Sequence, residues 1–102
     1  MRDLMEKVIQ RLGAFVDVKI DDPDADIWLV RRGSIDAVGK PTHRYAPENY
    51  GLTIRDKSVL LPRFLYYALE YVHMQGYWRG HATGTTKLVN IKADDVKAVP
   101  IG

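Results

Sequence analysis

There is no cysteine among the 102 residues, and that absence removes disulfides, thiolate metal sites and cysteine nucleophiles together. The fold must stand on packing, as intracellular domains usually do. No apolar run approaches membrane-spanning length, and Met1 to Lys7 lacks the apolar centre of a signal peptide. The expectation is a cytoplasmic protein with no membrane partner. Charge of one sign is also scarce: the formal net charge is +2, weak evidence for a polyanionic partner and of the wrong sign for a DNA mimic. The three histidines, His43, His73 and His81, are scattered without a His-x-x-x-His spacing, so no metal site is expected. Ser34 and Ser58 have no nucleophile-elbow context, and no glycine-rich loop leads from a strand into a helix as a nucleotide site would require. The chain is read as a non-enzyme with no cofactor and no metal.

What is present is an ordinary globular balance. Apolar residues make up 46% and charged residues 27% of the chain, which argues against disorder, and the length suits a single domain over residues 1–102. The strongest local signal lies between Pro62 and Gly76. Proline fits a first helical turn, where its missing N–H loses nothing, and glycine fits the left-handed position after the last turn. Between them Leu65, Leu69 and Val72, with Leu61 and Ala68, recur at three- and four-residue steps and define a face to bury. This predicts a central helix over about 62–75. A shorter helix is expected over Asp3 to Leu12, with Asp3 as N-cap, Glu6 completing a capping box and Gly13 ending it.

Strands fill much of the remainder. Val16, Val18 and Ile20 alternate with Asp17 and Lys19, the pattern of an edge or near-edge strand. Ile27 to Val30 is apolar on both faces and belongs in the middle of the sheet, with Trp28 in the core and stacking on a base as the alternative. Asp21-Asp22-Pro23-Asp24 lacks the ligand spacing of a calcium loop and is read as a solvated turn. Arg31 to Ser34 is expected to turn, Ile35 to Val38 to return as a short strand, and Gly39-Lys40-Pro41 to turn again. Thr42 to Asn49 is a loop, and Tyr50 to Ile54 another strand. A strand at Leu88 to Ile91, a helical turn at Ala93 to Lys97 and an extended exit from Ala98 to Ile101 follow. The fold class is α+β: a small, twisted, mainly antiparallel sheet packed against one central helix, with a short N-terminal helix.

Arg31, Arg32, Lys40, His43, Arg44, Arg79, His81 and Lys87 fall in or beside these predicted turns, so a basic rim forms if the turns share one end of the sheet. Gly76, Gly80 and Gly84 punctuate a segment whose threonines, Thr83, Thr85 and Thr86, offer hydroxyls outward. This composition suits phosphates and base edges. Tyr66 or Tyr67 is assigned to the core, while Tyr77 and Trp78 are placed either as surface contacts or as core plugs.

Four stretches together resemble a known family. Leu-Pro-x-Phe-Leu-Tyr-Tyr-x-Leu (Leu61 to Leu69), Ala-Thr-Gly-Thr (Ala82 to Thr85) and Asp-Val-Lys-Ala-Val-Pro-Ile (Asp95 to Ile101) look like the second half of a target recognition domain from the specificity subunit of a type I restriction–modification system. Asp26 to Ile35 is similar to the Asp-Ile-Leu-Leu-x-Arg-x-Gly-Ser-Ile segment of those domains, although Asp36 stands where the family usually has a second glycine. The resemblance implies a double-stranded DNA-binding domain. Its contacts would be Arg31, Arg32, Ser34, Lys40 and Arg44 from the first half, with Arg79, His81, Thr83, Thr85, Thr86 and Lys87 from the second. The chain ends at Gly102, where the family's coiled-coil helix would begin, so docking of modification subunits in the family's manner is not expected. The alternative is a protein-interaction module, a fragment or mobile-element product that keeps the recognition fold and binds a protein such as a restriction complex.

Overall fold

Alternation and two-faced hydrophobicity place the central strands. A computed structural model describes residues 10–85 and 87–101, and among these Val16–Ile20 (β2), Tyr50–Ile54 (β6), Ile27–Leu29 (β3) and Pro41–Thr42 (β5) form an antiparallel sheet in the order β2-β6-β3-β5. β2 lies at one edge: Val16 is buried, but Ile20, its last residue, is about half exposed at 49%. β3, apolar on both faces, is interior and wholly buried. The pairs Val16–Ile54, Val18–Leu52 and Ile27–Leu52 set the register. Pro41, which has no N–H to donate, sits in the other edge strand, where a proline is tolerated.

Trp28 belongs to the core, as expected, and its indole N–H is satisfied by the Asp22 carbonyl at 2.8 Å. The acidic run beside it is a tight turn. Asp21 takes a positive φ of 57°, and the Asp22 carboxylate accepts the Asp24 N–H at 3.1 Å. Asp26 closes the far end of the sheet, accepting the Ile54 N–H at 2.8 Å and pairing with Lys57 at 3.0 Å.

The long helix, Pro62–Met74 (α1), begins and ends where its punctuation requires, with Gly76 in the left-handed conformation at φ 80°. Leu65 and Leu69 are fully buried against the sheet, and Val72 packs beside them. Tyr66 is the tyrosine drawn toward the core, stacked on His43 at 4.2 Å, while Tyr67 is exposed. The opposite face of α1 leaves Phe64, Tyr67, Tyr71 and Met74 in solvent. A 3₁₀ turn at Tyr77–Gly80 then drops Trp78 into the core, leaving it 2% exposed.

Two smaller sheets complete the architecture. Gln10–Arg11 (β1) pairs with Pro100–Ile101 (β9), and Arg32–Gly33 (β4), Val89–Asn90 (β8) and Thr83–Gly84 (β7) form a three-stranded antiparallel ribbon in the order β4-β8-β7. Ala93–Lys97 forms the short helix α2, packed on the turn Leu12–Ala14 so closely that Gly13 lies against Lys97. The fold is α+β, with helices against mainly antiparallel sheets.

Several local expectations change: Leu61, read as part of the buried helix face, is exposed, and Arg32, Gly33 and Pro41, read as turn, are strand. The helix read over Asp3 to Leu12 falls largely outside the described residues, and at its described end Gln10 and Arg11 are strand because β9 supplies their pairing partners. Ile35 to Val38 is not a return strand. The N–H groups of Ala37 and Val38 both turn back to the Ser34 carbonyl, at 3.0 and 3.1 Å, and the strand partner goes instead to Arg32 and Gly33.

Candidate nucleic-acid interface

Pairing in the ribbon brings together two segments that are far apart in the chain. Arg32 of β4 stands opposite Asn90 of β8, and Asn90 stands opposite Thr83 of β7. Directly paired residues share a face, so a guanidinium, a carboxamide and a hydroxyl form one cross-strand row, and all three residues are exposed. The next register position pairs Gly33, Val89 and Gly84. Val89 is buried, so the ribbon is anchored through it to the core.

The ends of the ribbon are held by their own chemistry. The turn after β7 closes where the Thr85 N–H and hydroxyl reach the Leu88 carbonyl at 3.0 and 3.2 Å, while the Leu88 N–H donates to the Thr85 hydroxyl at 3.0 Å. Thr85 is thereby committed to shaping the turn. Lys87 is exposed within it, and Thr86 lies outside the described residues. Ser34, exposed, follows β4 directly. Gly84 has φ 137°, and a Cβ there would come within 2.5 Å of the Leu88 carbonyl oxygen, so glycine is demanded by the backbone itself.

The structure divides the cations sharply. Arg31 Nε donates to the Glu48 carbonyl and its guanidinium lies 6.0 Å from the centre of the Tyr50 ring. Arg79 pairs with Asp36. Arg55 pairs with Asp17 at 3.0 Å and donates to the carbonyls of Gly13, Ala14 and Val16. Among the described residues, Arg32, Lys40, Arg44 and Lys87 are exposed and form no ion pair, and the same is true of Arg11, Lys19, Arg63, Lys92 and Lys97 elsewhere on the surface. Lys40 and Arg44 flank β5, at the edge of the other sheet.

The histidines are likewise occupied. His81 stacks on Tyr77 at 4.1 Å and its Nδ1 lies 2.8 Å from the Tyr77 carbonyl, while His73 Nε2 lies 2.8 Å from the Asp36 carbonyl. Behind the ribbon, the buried Tyr50 hydroxyl donates to the Ile91 carbonyl at 3.0 Å, and burial raises its pKa above the usual tyrosine value. Burial raises Tyr77 in the same direction. No group of histidines and carboxylates able to hold a metal ion is present among the described residues.

A solved structure, the type I restriction–modification system S subunit from M. genitalium, superposes on 91% of this chain with a TM-score of 0.68 at 18% identity. The two share a fold. This chain spans 33% of the length of that S subunit. No protein-family model matches the chain, and no curated protein matches it.

The resemblance carried by the motifs thus holds at the level of the S-subunit fold, and each motif occupies a definite place in it. Asp26 to Ile35 runs from β3 into β4, Leu61 to Leu69 opens α1, Ala82 to Thr85 enters β7, and Asp95 to Ile101 runs from α2 through β9. Asp36 is accommodated in the turn after β4 by its pairing with Arg79. Asn90 is the residue that sequence reasoning missed. Its signal was a polar side chain between buried Val89 and buried Ile91, the alternation of a half-exposed strand.

Proposed function

We propose that this chain is a sequence-recognition-type domain that binds double-stranded DNA through the ribbon β4-β8-β7 and the exposed basic residues around it. The observation that carries this reading is the convergence of Arg32 and Thr83, from the two motif-bearing halves of the chain, on one exposed row with Asn90. Ser34 and Lys87 extend the surface beside the row, and Lys40 and Arg44, at the edge of the β2-β6-β3-β5 sheet, are further exposed cations. The S-subunit fold supports the same reading, because the solved protein that shares it belongs to a restriction–modification system. The role is binding without catalysis in a cytoplasmic setting. Each of the three histidines is engaged in stacking or in a backbone contact rather than poised beside a nucleophile.

A module of this size, acting as one domain with few phosphate contacts, should bind non-specific duplex with a dissociation constant on the order of 10⁻⁴ to 10⁻⁶ M at physiological salt, tightening as salt falls. Backbone chemical shifts recorded during titration with duplex DNA at low salt test this directly. Shifts are expected at Arg32, Thr83, Lys87 and Asn90. A duplex that moves none of them overturns the proposal.

A further inference from the structure

Three side chains in a fixed row present more than charge. Adjacent strands lie about 4.8 Å apart, so the row Arg32–Asn90–Thr83 spans about 10 Å. That is the reach of about three base pairs at roughly 3.4 Å each. The adjacent register position, Gly33, Val89 and Gly84, turns to the opposite, core-facing side of the ribbon.

The chemistry of the row is graded. A carboxamide places a donor and an acceptor side by side on one planar group, which matches the N6–H and N7 pattern of adenine in the major groove. A guanidinium matches O6 and N7 of guanine, and a threonine hydroxyl suits either base. Arg32 forms no ion pair among the described residues, in contrast to Arg79. Asn90 occupies the middle strand, where it is held from both sides: Val89 pairs with Gly33 and Gly84, and the Ile91 N–H donates to the Arg31 carbonyl at 3.0 Å. A backbone so constrained gives up little further freedom on binding.

We infer that Asn90 is a base-reading residue, that it selects adenine in the major groove, and that Arg32 beside it selects guanine within about two base pairs. This inference rests on the DNA-binding reading and names the residues and bases through which it would discriminate sequence.

The test is selection from a pool of randomised duplexes by the full chain, followed by binding of the selected and scrambled duplexes. The wild-type protein is expected to enrich an adenine with a guanine within two positions. Asn90→Ala should lose roughly tenfold or more of the preference at the adenine position, with a larger loss of affinity on the selected duplex than on the scrambled one. Asn90→Asp, which can only accept hydrogen bonds while ionised, should shift that position toward cytosine. Amide spectra of both variants establish that the fold is retained. Duplex binding with an unchanged adenine preference in Asn90→Ala, or with no preference in the wild type, overturns the inference and leaves DNA binding intact. Absence of any duplex binding by the wild type overturns both.

Discussion

Arg31 and Arg32 are neighbours in sequence with opposite fates. Arg31 is spent on the Glu48 carbonyl and the Tyr50 ring, while Arg32 is exposed on the ribbon. The same division separates Arg79, paired with Asp36, from Lys87, which forms no ion pair among the described residues. Lys87→Ala should therefore lower the slope of log affinity against log salt by about one unit. Arg79→Ala should leave it unchanged, and both should alter stability by no more than about 0.5 kcal/mol. Fluorescence anisotropy on a labelled duplex at several salt concentrations checks the pair. Tyr50 offers a test of stability instead. Tyr50→Phe removes a buried hydrogen bond to the Ile91 carbonyl and should cost about 1 kcal/mol. It should also change the alkaline behaviour. Burial raises the Tyr50 pKa in the folded state, so the unfolded chain ionises first as pH climbs past about 10, and folding stability falls over that range. Urea unfolding at neutral and alkaline pH should show a smaller alkaline loss in the phenylalanine variant, with Tyr77 and Tyr45, also raised, sustaining the remainder.

Among the elements, α1 shows how one helix serves two environments. Leu65 and Leu69 are fully buried, whereas Phe64 and Tyr71 project into solvent at 58% and 63% exposure. Leu65→Ala or Leu69→Ala should cost roughly 2–5 kcal/mol through lost burial and the cavity left behind. Phe64→Ser should change stability by about 0.5 kcal/mol or less, and thermal unfolding separates the two outcomes. The ribbon depends on glycine more than on burial. Gly84→Ala forces a side chain into a φ of 137° and against the Leu88 carbonyl, a strain of roughly 1–3 kcal/mol. Denaturant unfolding should record that loss even though Gly84 is exposed.

At the scale of the whole molecule, the sheets are closed by partners distant in sequence: β2 with β6, β4 with β8, and β1 with β9. Such topology delays the reward for closing loops until late in folding, so refolding is expected in milliseconds to seconds rather than microseconds. Stopped-flow fluorescence of buried Trp28 and Trp78 would report it, and a microsecond phase carrying the full amplitude would contradict it.

Much of the architecture was legible in the sequence because it depends on local physics. Pro62, Gly76 and the leucines between them determined α1, since a helix end and a buried stripe are written within a few turns of chain. The same holds for α2, whose span matches the expected turn over Ala93 to Lys97, and for the alternation of β2 and the two-faced burial of β3. Composition had already removed disulfide and thiolate chemistry. The candidate interface was legible only as two lists of polar residues. Tertiary structure decided that Arg32 and Thr83 meet across Asn90, that Arg79 pairs with Asp36, that Trp78 is a core residue and that Thr85 shapes a turn. Periodicity records how one segment divides between water and core. It carries no information about which distant strand or carboxylate will stand opposite a given side chain, and that choice is what leaves some cations free and binds others.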